Sequence, residues 1–308
     1  MVKVGIIGAD SKQSGELIRI LVLHPETELT TLYAPELTGR NLSYAHHGLI
    51  GENNLLFTDK INLEESDFIV LPDNSDLTEK IITQINNYEN LKLVITGSDN
   101  LTLNGAKANI QIETGISEAN RKALVRGARV AYIPSPAVVP ALVALSPLAT
   151  FLLLNSDINI SVVLPADIYS GINVDKDIQE LKSLIQTKQT SFNENINLKI
   201  NGSDNKRGAV TEILLKNNLP ISEIEKIYDQ IYDDHNFTFI SRSDISTKEV
   251  EGTQKILIYL EKPSSDSLKI KIVSDPRMRG GAGDVVHTMN LFFGLHEKTG
   301  LHFKSSAY

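Results

Sequence analysis

The chain opens on VKVGIIG, a short apolar run closed by a glycine and followed at once by a helical pattern over Ser14–Leu23. In that pattern Leu17, Ile20, Leu21 and Leu23 share the side that would face a sheet. Glu28–Tyr33 reads as a second strand. The segments DFIVL (Asp67–Leu71), LKLVIT (Leu91–Thr96) and RVAYI (Arg129–Ile133) are further apolar runs, with a helical stretch over Leu77–Ile85. Strands that read as continuous apolar runs and alternate with helices require burial on both faces, which predicts a parallel sheet covered by helices. Residues 1 to about 148 are therefore expected to form a doubly wound α/β domain.

Beyond residue 157 the texture changes. Ile158–Leu164, Asn195–Ile200, Phe237–Ser241, Gln254–Leu260 and Leu268–Val273 read as strands, several of them alternating, with helical stretches over Asp177–Gln186 and Ile221–Tyr232. This pattern predicts an α+β domain with a mostly antiparallel sheet. The last element, Gly283–Phe293, reads as an amphipathic helix with Val285, Val286, Met289, Phe292 and Phe293 on one side and Gly294 as terminator. Between the two textures lies Pro136–Leu154, almost wholly apolar, in a stretch without charge from Arg129 to Asp157. Its length suits a membrane span, but Pro136, Pro140 and Pro147 interrupt it and soluble-type patterns flank it. The reading is a helix buried between the domains and no membrane partner.

Composition narrows the function. With 308 residues, 41% hydrophobic and 22% charged, the chain can bury a sizeable core in two domains. A formal charge of -8 offers no basic excess for phosphates, so nucleic acid is excluded as the main partner. The seven histidines show no metal-ligand spacing beyond the pair His46-His47, and no metal site is expected. Cysteine is absent, which rules out disulfides, thiolate metal sites and thiol nucleophiles. MVKVGIIGAD lacks the features of a signal peptide, so a cytoplasmic protein is expected.

Two segments carry a resemblance: VGIIGADSKQSGELIRILVLHPETEL near the start and DPRMRGGAGDVVHTMNLFFGLHEKTGL near the end. Weaker matches lie at Gly39 to Gly51, Leu71-Pro72, Gly115 with Glu118, and PSPAVVPALVALSPL. Together they resemble N-acetyl-γ-glutamyl-phosphate reductase, the arginine-pathway relative of aspartate-semialdehyde dehydrogenase. The resemblance implies a Rossmann-like cofactor domain at 1–148 and 286–308, and an inserted substrate and oligomerisation domain at 149–285. It also implies a final helix that returns to the first domain.

The family's enzymes reduce an acyl phosphate: a cysteine thiolate displaces phosphate, NADPH delivers a hydride, and a histidine handles protons. The family's Asn-Pro-Gly-Cys-Tyr aligns with Ile133–Ala137, which puts Pro136 at the cysteine position. Proline has neither a nucleophilic atom nor an N–H to serve an oxyanion. Ser135 is no substitute without a base beside it. The family's His-Arg-His-x-Pro-Glu-Ile aligns with Arg207–Ile213, leaving Arg207 and Ala209 at the histidine positions.

In the phosphate loop Gly5 and Gly8 remain, but Ser11 and Ser14 stand at glycine positions and Asp10 brings a negative charge that Lys12 could offset. Ala34-Pro35 replaces the pair that holds the 2′-phosphate, with Arg40 the nearby basic residue, and Asp73-Asn74 replaces His-Gly. The residual cofactor contacts would be Gly8, Ser11, Lys12, Ser14, Gly283 and Asn290.

Positions serving packing match the family while positions serving chemistry are mostly replaced, a pattern that implies a pseudoenzyme. The implied protein is a catalytically silent homologue that binds a small-molecule metabolite or a protein subunit, as a homo-oligomer or a mixed oligomer with an active reductase. No cofactor is expected to bind tightly, and NADP if any. The alternative is an NADP-dependent oxidoreductase acting without a cysteine nucleophile. Of the remaining features, Gly280–Gly283 reads as a packing turn more than a nucleotide loop. His24-Pro25 reads as a helix end, and His287 and His296 as solvated. Arg277, Arg279 and Lys304 form a basic group suited to an anion or to surface ion pairs. Asp233-Asp234 reads as a solvated helix end.

Overall fold

A computed structural model describes residues 1–72, 76–96 and 109–305. The chain divides into two compact units, Met1–Pro134 with Gly281–His302, and Ser135–Gly280 with the C-terminal residues from Phe303. The sequence placed the division at about 148 and the return at 286. The observed division falls earlier because the apolar helix Val138–Thr150 packs on the second unit's own sheet and helices.

In the first unit, strands β1 (Val2–Ile7), β2 (Thr27–Tyr33), β3 (Phe68–Pro72), β4 (Lys92–Thr96), β5 (Ile112–Thr114) and β6 (Val130–Ile133) form one sheet in the order β2-β1-β3-β4-β6-β5. Every pairing in it is parallel. Helices α1 (Lys12–Leu21), α2 (Asp76–Gln84) and α3 (Ser117–Val125) follow β1, β3 and β5. Burial on both faces explains the unbroken apolar runs: Ile69, Leu71, Leu93 and Ile95 pack with Ile81, Ile82 and Ile85 in one cluster, each contributing about 1.5–3 kcal/mol. Leu23, expected to face the sheet, is 71% exposed, since α1 ends at Leu21 and the chain turns away.

The last helix, α8 (Ala282–Phe292), returns to this unit against α1, α3, β4 and β6. It is buried on every side, so the expected polar face does not exist. Lys92 caps its end, with Nζ on the Phe292 carbonyl and 4.6 Å from the Phe293 ring centroid. Burial lowers the Lys92 pKa.

The second unit holds β7 (Ile158–Pro165), β8 (Ile196–Ser203), β9 (Ala209–Lys216), β10 (Thr238–Ser241), β11 (Ile256–Ser264) and β12 (Ser267–Ser274) in the order β10-β11-β12-β9-β7-β8. The sheet is mixed: the two outer pairings are parallel and the three inner ones antiparallel. Three helices pack in this unit: α4 (Val138–Thr150), α6 (Val174–Gln186) and α7 (Ile221–Tyr232), with the short α5 (Ala166–Tyr169) near β8. Every residue of α4 from Val138 to Ala149 is buried. Tyr228 and Tyr232 donate their hydroxyls to the carbonyls of Ala144 and Val143, the second of which Pro147 leaves free by lacking an N–H. No helix among the described residues is long and apolar enough to cross a membrane.

Candidate functional site

The first candidate site is the crevice at the carboxyl ends of β1 and β3, where the order β2-β1-β3 reverses the winding direction. It holds about 140 Å³ and is lined by Gly8, Asp10, Ser11, Ser14 and Pro72, with Ala282 and Val285 of α8. Gly8 takes a positive φ of 67°, which lets the chain leave β1 and turn into α1. Ser11 caps α1, its Oγ accepting from Ser14 N at 3.1 Å. Ser14 Oγ in turn donates to the Gly8 carbonyl at 2.7 Å. His46 Nε2 donates to the Ala9 carbonyl at 2.6 Å, and a side chain at Gly15 would meet the His46 ring at 2.6 Å. The loop thus satisfies its own polar groups, and the hydroxyls of Ser11 and Ser14 stand where glycines would admit a ligand's oxygens.

Of the six residues assigned to cofactor contact, Gly8, Ser11 and Ser14 meet in this crevice, while Lys12, Gly283 and Asn290 do not line it. Lys12 is exposed on α1. Asn290 is fully buried and committed elsewhere: its Oδ1 lies 3.0 Å from His24 Nε2, and its Nδ2 donates to the carbonyls of Glu297 and Thr299. Glu26 N donates to His24 Nδ1 at 3.2 Å, so His24 is a neutral hub of packing, its pKa lowered by burial. Arg40 stacks over the Tyr44 ring, and Ala34 is buried. Asp73-Asn74 lies outside the described residues.

The second candidate site surrounds the position assigned to the nucleophile. Pro136 stands just before α4 and is packed on backbone: a Cβ on Gly280, whose φ is 74°, would lie 2.5 Å from Pro136 Cα. Ser135 prepares the helix, its carbonyl accepting from the amides of Val138 and Val139 and its Oγ lying 3.4 Å from Val138 N. The same hydroxyl donates to Asp177 Oδ2 at 2.9 Å. Asp177 sits in the first turn of α6 and is 3% exposed. Burial pushes its carboxyl up to about 6, against the opposing effects of the Ser135 bond and the Lys176 charge. Ser135 therefore does have a base beside it, contrary to the sequence reading. Its partner lies 42 positions downstream, beyond any local pattern.

The histidine positions carry no acid-base group. Ala209 is buried at the start of β9, opposite Ser274. Arg207 is tied by Nε to Asp275 Oδ2 at 2.6 Å, an oxygen that also accepts from Gly252 N. Arg277 reaches Asp167 at 2.8 Å. Arg279, expected with Arg277 and Lys304 in a surface group, is fully buried. His287, expected to be solvated, is 2% exposed and lies 2.8 Å from Glu297, which Arg121 also meets. His296 is exposed, as are Asp233 and Asp234. No cluster suited to a metal ion occurs among the described residues.

Residues 3–126 match the family model for the semialdehyde dehydrogenase NAD binding domain. Among solved structures, aspartate semialdehyde dehydrogenase II of Vibrio cholerae superposes with a TM-score of 0.70 at 12% identity, covering 96% of this chain and 98% of that one. The Candida albicans aspartate semialdehyde dehydrogenase with NADP gives 0.62 at 14% identity, over 95% and 99%. At these identities the likeness is one of fold. Sequence relatives include the N-acetyl-γ-glutamyl-phosphate reductases of Parabacteroides distasonis and Bacteroides fragilis, each 30% identical over the full length of both chains. With a two-domain fold of this kind and full-length relatives of that name, the chain belongs to the N-acetyl-γ-glutamyl-phosphate reductase family.

Proposed function

We propose that this protein is a member of the family that is silent in acyl-phosphate reduction and serves as a metabolite-binding or subunit-binding homologue in the cytoplasm. The observation that carries the reading is Pro136 at the nucleophile position, held against Gly280 in a chain without any cysteine. Thioester formation needs a thiolate there, and removing a nucleophile costs on the order of 10⁶-fold in turnover. Ala209 and the ion-paired Arg207 supply no proton shuttle in place of the family's histidines.

The crevice supports weak NADP binding in the same way. Ser11 and Ser14 use each other's hydrogen-bonding capacity, and Asp10 adds like charge toward a pyrophosphate. Dissociation constants above about 1 mM follow, a binding free energy weaker than about -4 kcal/mol. The subunit-binding form of the proposal, a homo-oligomer or a mixed oligomer with an active reductase, draws on the second sheet, where Leu214 and Phe239 are exposed. The inner face needs no such cover, because α4, α6 and α7 already pack in that unit.

The deciding experiment is NADPH oxidation with N-acetyl-γ-glutamyl phosphate, alongside calorimetric titration of NADPH. No turnover and no micromolar binding are expected. Turnover of about 1 per second or faster would overturn the proposal.

A further inference from the structure

We infer that Ser135 and Asp177 form a nucleophile–base pair that accepts an acyl group from an activated donor and passes it to water. This goes beyond the silent reading above, since it needs neither a thiol nor a nicotinamide. Three features of the second unit support it. Ser135 Oγ already donates its proton to Asp177 Oδ2 at 2.9 Å, the contact a general base needs. Ser135 is half-buried while Asp177 is buried, so the hydroxyl belongs to the more exposed member of the pair. Val138 N, at the start of α4, lies 3.4 Å from the same oxygen, which favours negative charge developing on it.

Asp177 also has the protonation behaviour the step requires. Burial raises its pKa to about 6, which leaves the carboxylate ionised at neutral pH yet more basic than an exposed one. The neighbouring Pro136 sets the limit on substrate class. It has no N–H to donate to a tetrahedral oxyanion, so the site lacks the amide that commonly follows a nucleophile. Such a site handles donors whose leaving group departs without help, an acyl phosphate or an aryl ester, and not amides.

The chemistry balances without a redox partner. Ser135 Oγ bonds to the acyl carbon as its proton passes to Asp177, and the bond from carbon to the leaving oxygen breaks, giving a seryl ester. Asp177 releases that proton to solvent, and water then adds to the ester carbon as it yields a proton to the restored carboxylate. The bond to Oγ breaks and Oγ recovers its proton, leaving the free acid.

The test uses 4-nitrophenyl acetate with the full chain and no nicotinamide. The expected result is a burst of 4-nitrophenolate stoichiometric with protein and one acetyl group mapped by peptide mass to Ser135. The burst should vanish in Ser135→Ala and slow by about a hundredfold in Asp177→Asn, with circular dichroism confirming that both variants fold. A pair that merely caps α4 would give no acetyl-serine. An unmodified Ser135 in the wild-type protein overturns the inference even if a variant does not fold, and so does an equal acetylation rate in Asp177→Asn. Either failure leaves the reductase result untouched, because the two assays share no reagent.

Discussion

Replacing Asp177 with asparagine isolates the free energy of keeping a charged carboxylate at the junction of α4 and α6. Burial holds the folded carboxyl at about 6 against an ordinary value of 3.8, a gap worth about 3 kcal/mol at about 1.4 kcal/mol per pH unit. The sign follows from which state binds the proton more tightly. Well below pH 3.8 the group is neutral in both states and contributes no penalty. As pH rises, the unfolded chain releases the proton first, so the folded protein loses stability until the folded carboxyl has also ionised, above about pH 6. Asparagine never ionises, and its amide oxygen can still accept from Ser135. Urea unfolding of both proteins at pH 4 and pH 7.5, followed by far-ultraviolet circular dichroism, should therefore show the variant gaining about 2.5 kcal/mol on the wild type, the rest of the penalty being already present at pH 4. Comparing the two proteins at each pH cancels the other titrating groups. A gap constant to within about 0.5 kcal/mol would refute the argument that burial is what raises the carboxyl.

Further expectations follow from the two sites. Gly280→Ala should destabilise the protein by about 2 kcal/mol or more, since the left-handed backbone costs about 1–2 kcal/mol and the new Cβ would overlap Pro136; a change under about 0.5 kcal/mol on urea unfolding would contradict the packing. Asn290→Ala strips partners from His24 and from two carbonyls, each unpaired group costing about 1–3 kcal/mol, so a loss near 3 kcal/mol is expected. Because burial lowers the His24 pKa, its stabilising share is complete above pH 6.5 and lost as pH falls below that value, which a wild-type stability profile can check. The triple change Asp10→Ser, Ser11→Gly, Ser14→Gly should tighten NADP binding in calorimetry, and unchanged binding would clear those side chains of the effect.

The parallel sheet was legible because its strands are buried on both sides: VKVGIIG and DFIVL can hardly be anything else. Periodicity failed where burial has no face to contrast. Helix α4 is apolar all round, so the sequence could not say which domain owns it, and α8 looked amphipathic although His287, Thr288 and Asn290 are as buried as its leucine and phenylalanine. Those polar positions are paid for by partners such as Glu297 and Gly115 that no local window contains. Strand β9 was hidden under a motif alignment, yet its alternating Ala209, Thr211, Ile213 and Leu215 form the buried side of a central strand. The empty nucleophile position was readable from one residue. The carboxylate beside Ser135 was not, because only the packing of α4 on α6 brings it there.

The all-apolar helix α4 also bears on how the chain can be synthesised. It emerges from the ribosome well before the central strands on which it packs, β9 and β12, the latter roughly a hundred residues later. At typical elongation rates that is on the order of ten seconds during which the apolar segment has α6 to pack on but not those strands. The first unit waits as well, since α8 must be made before α1 and α3 gain their partner. Neither unit can close ahead of the final stretch of chain, so the folding of both is bound to the late stages of translation.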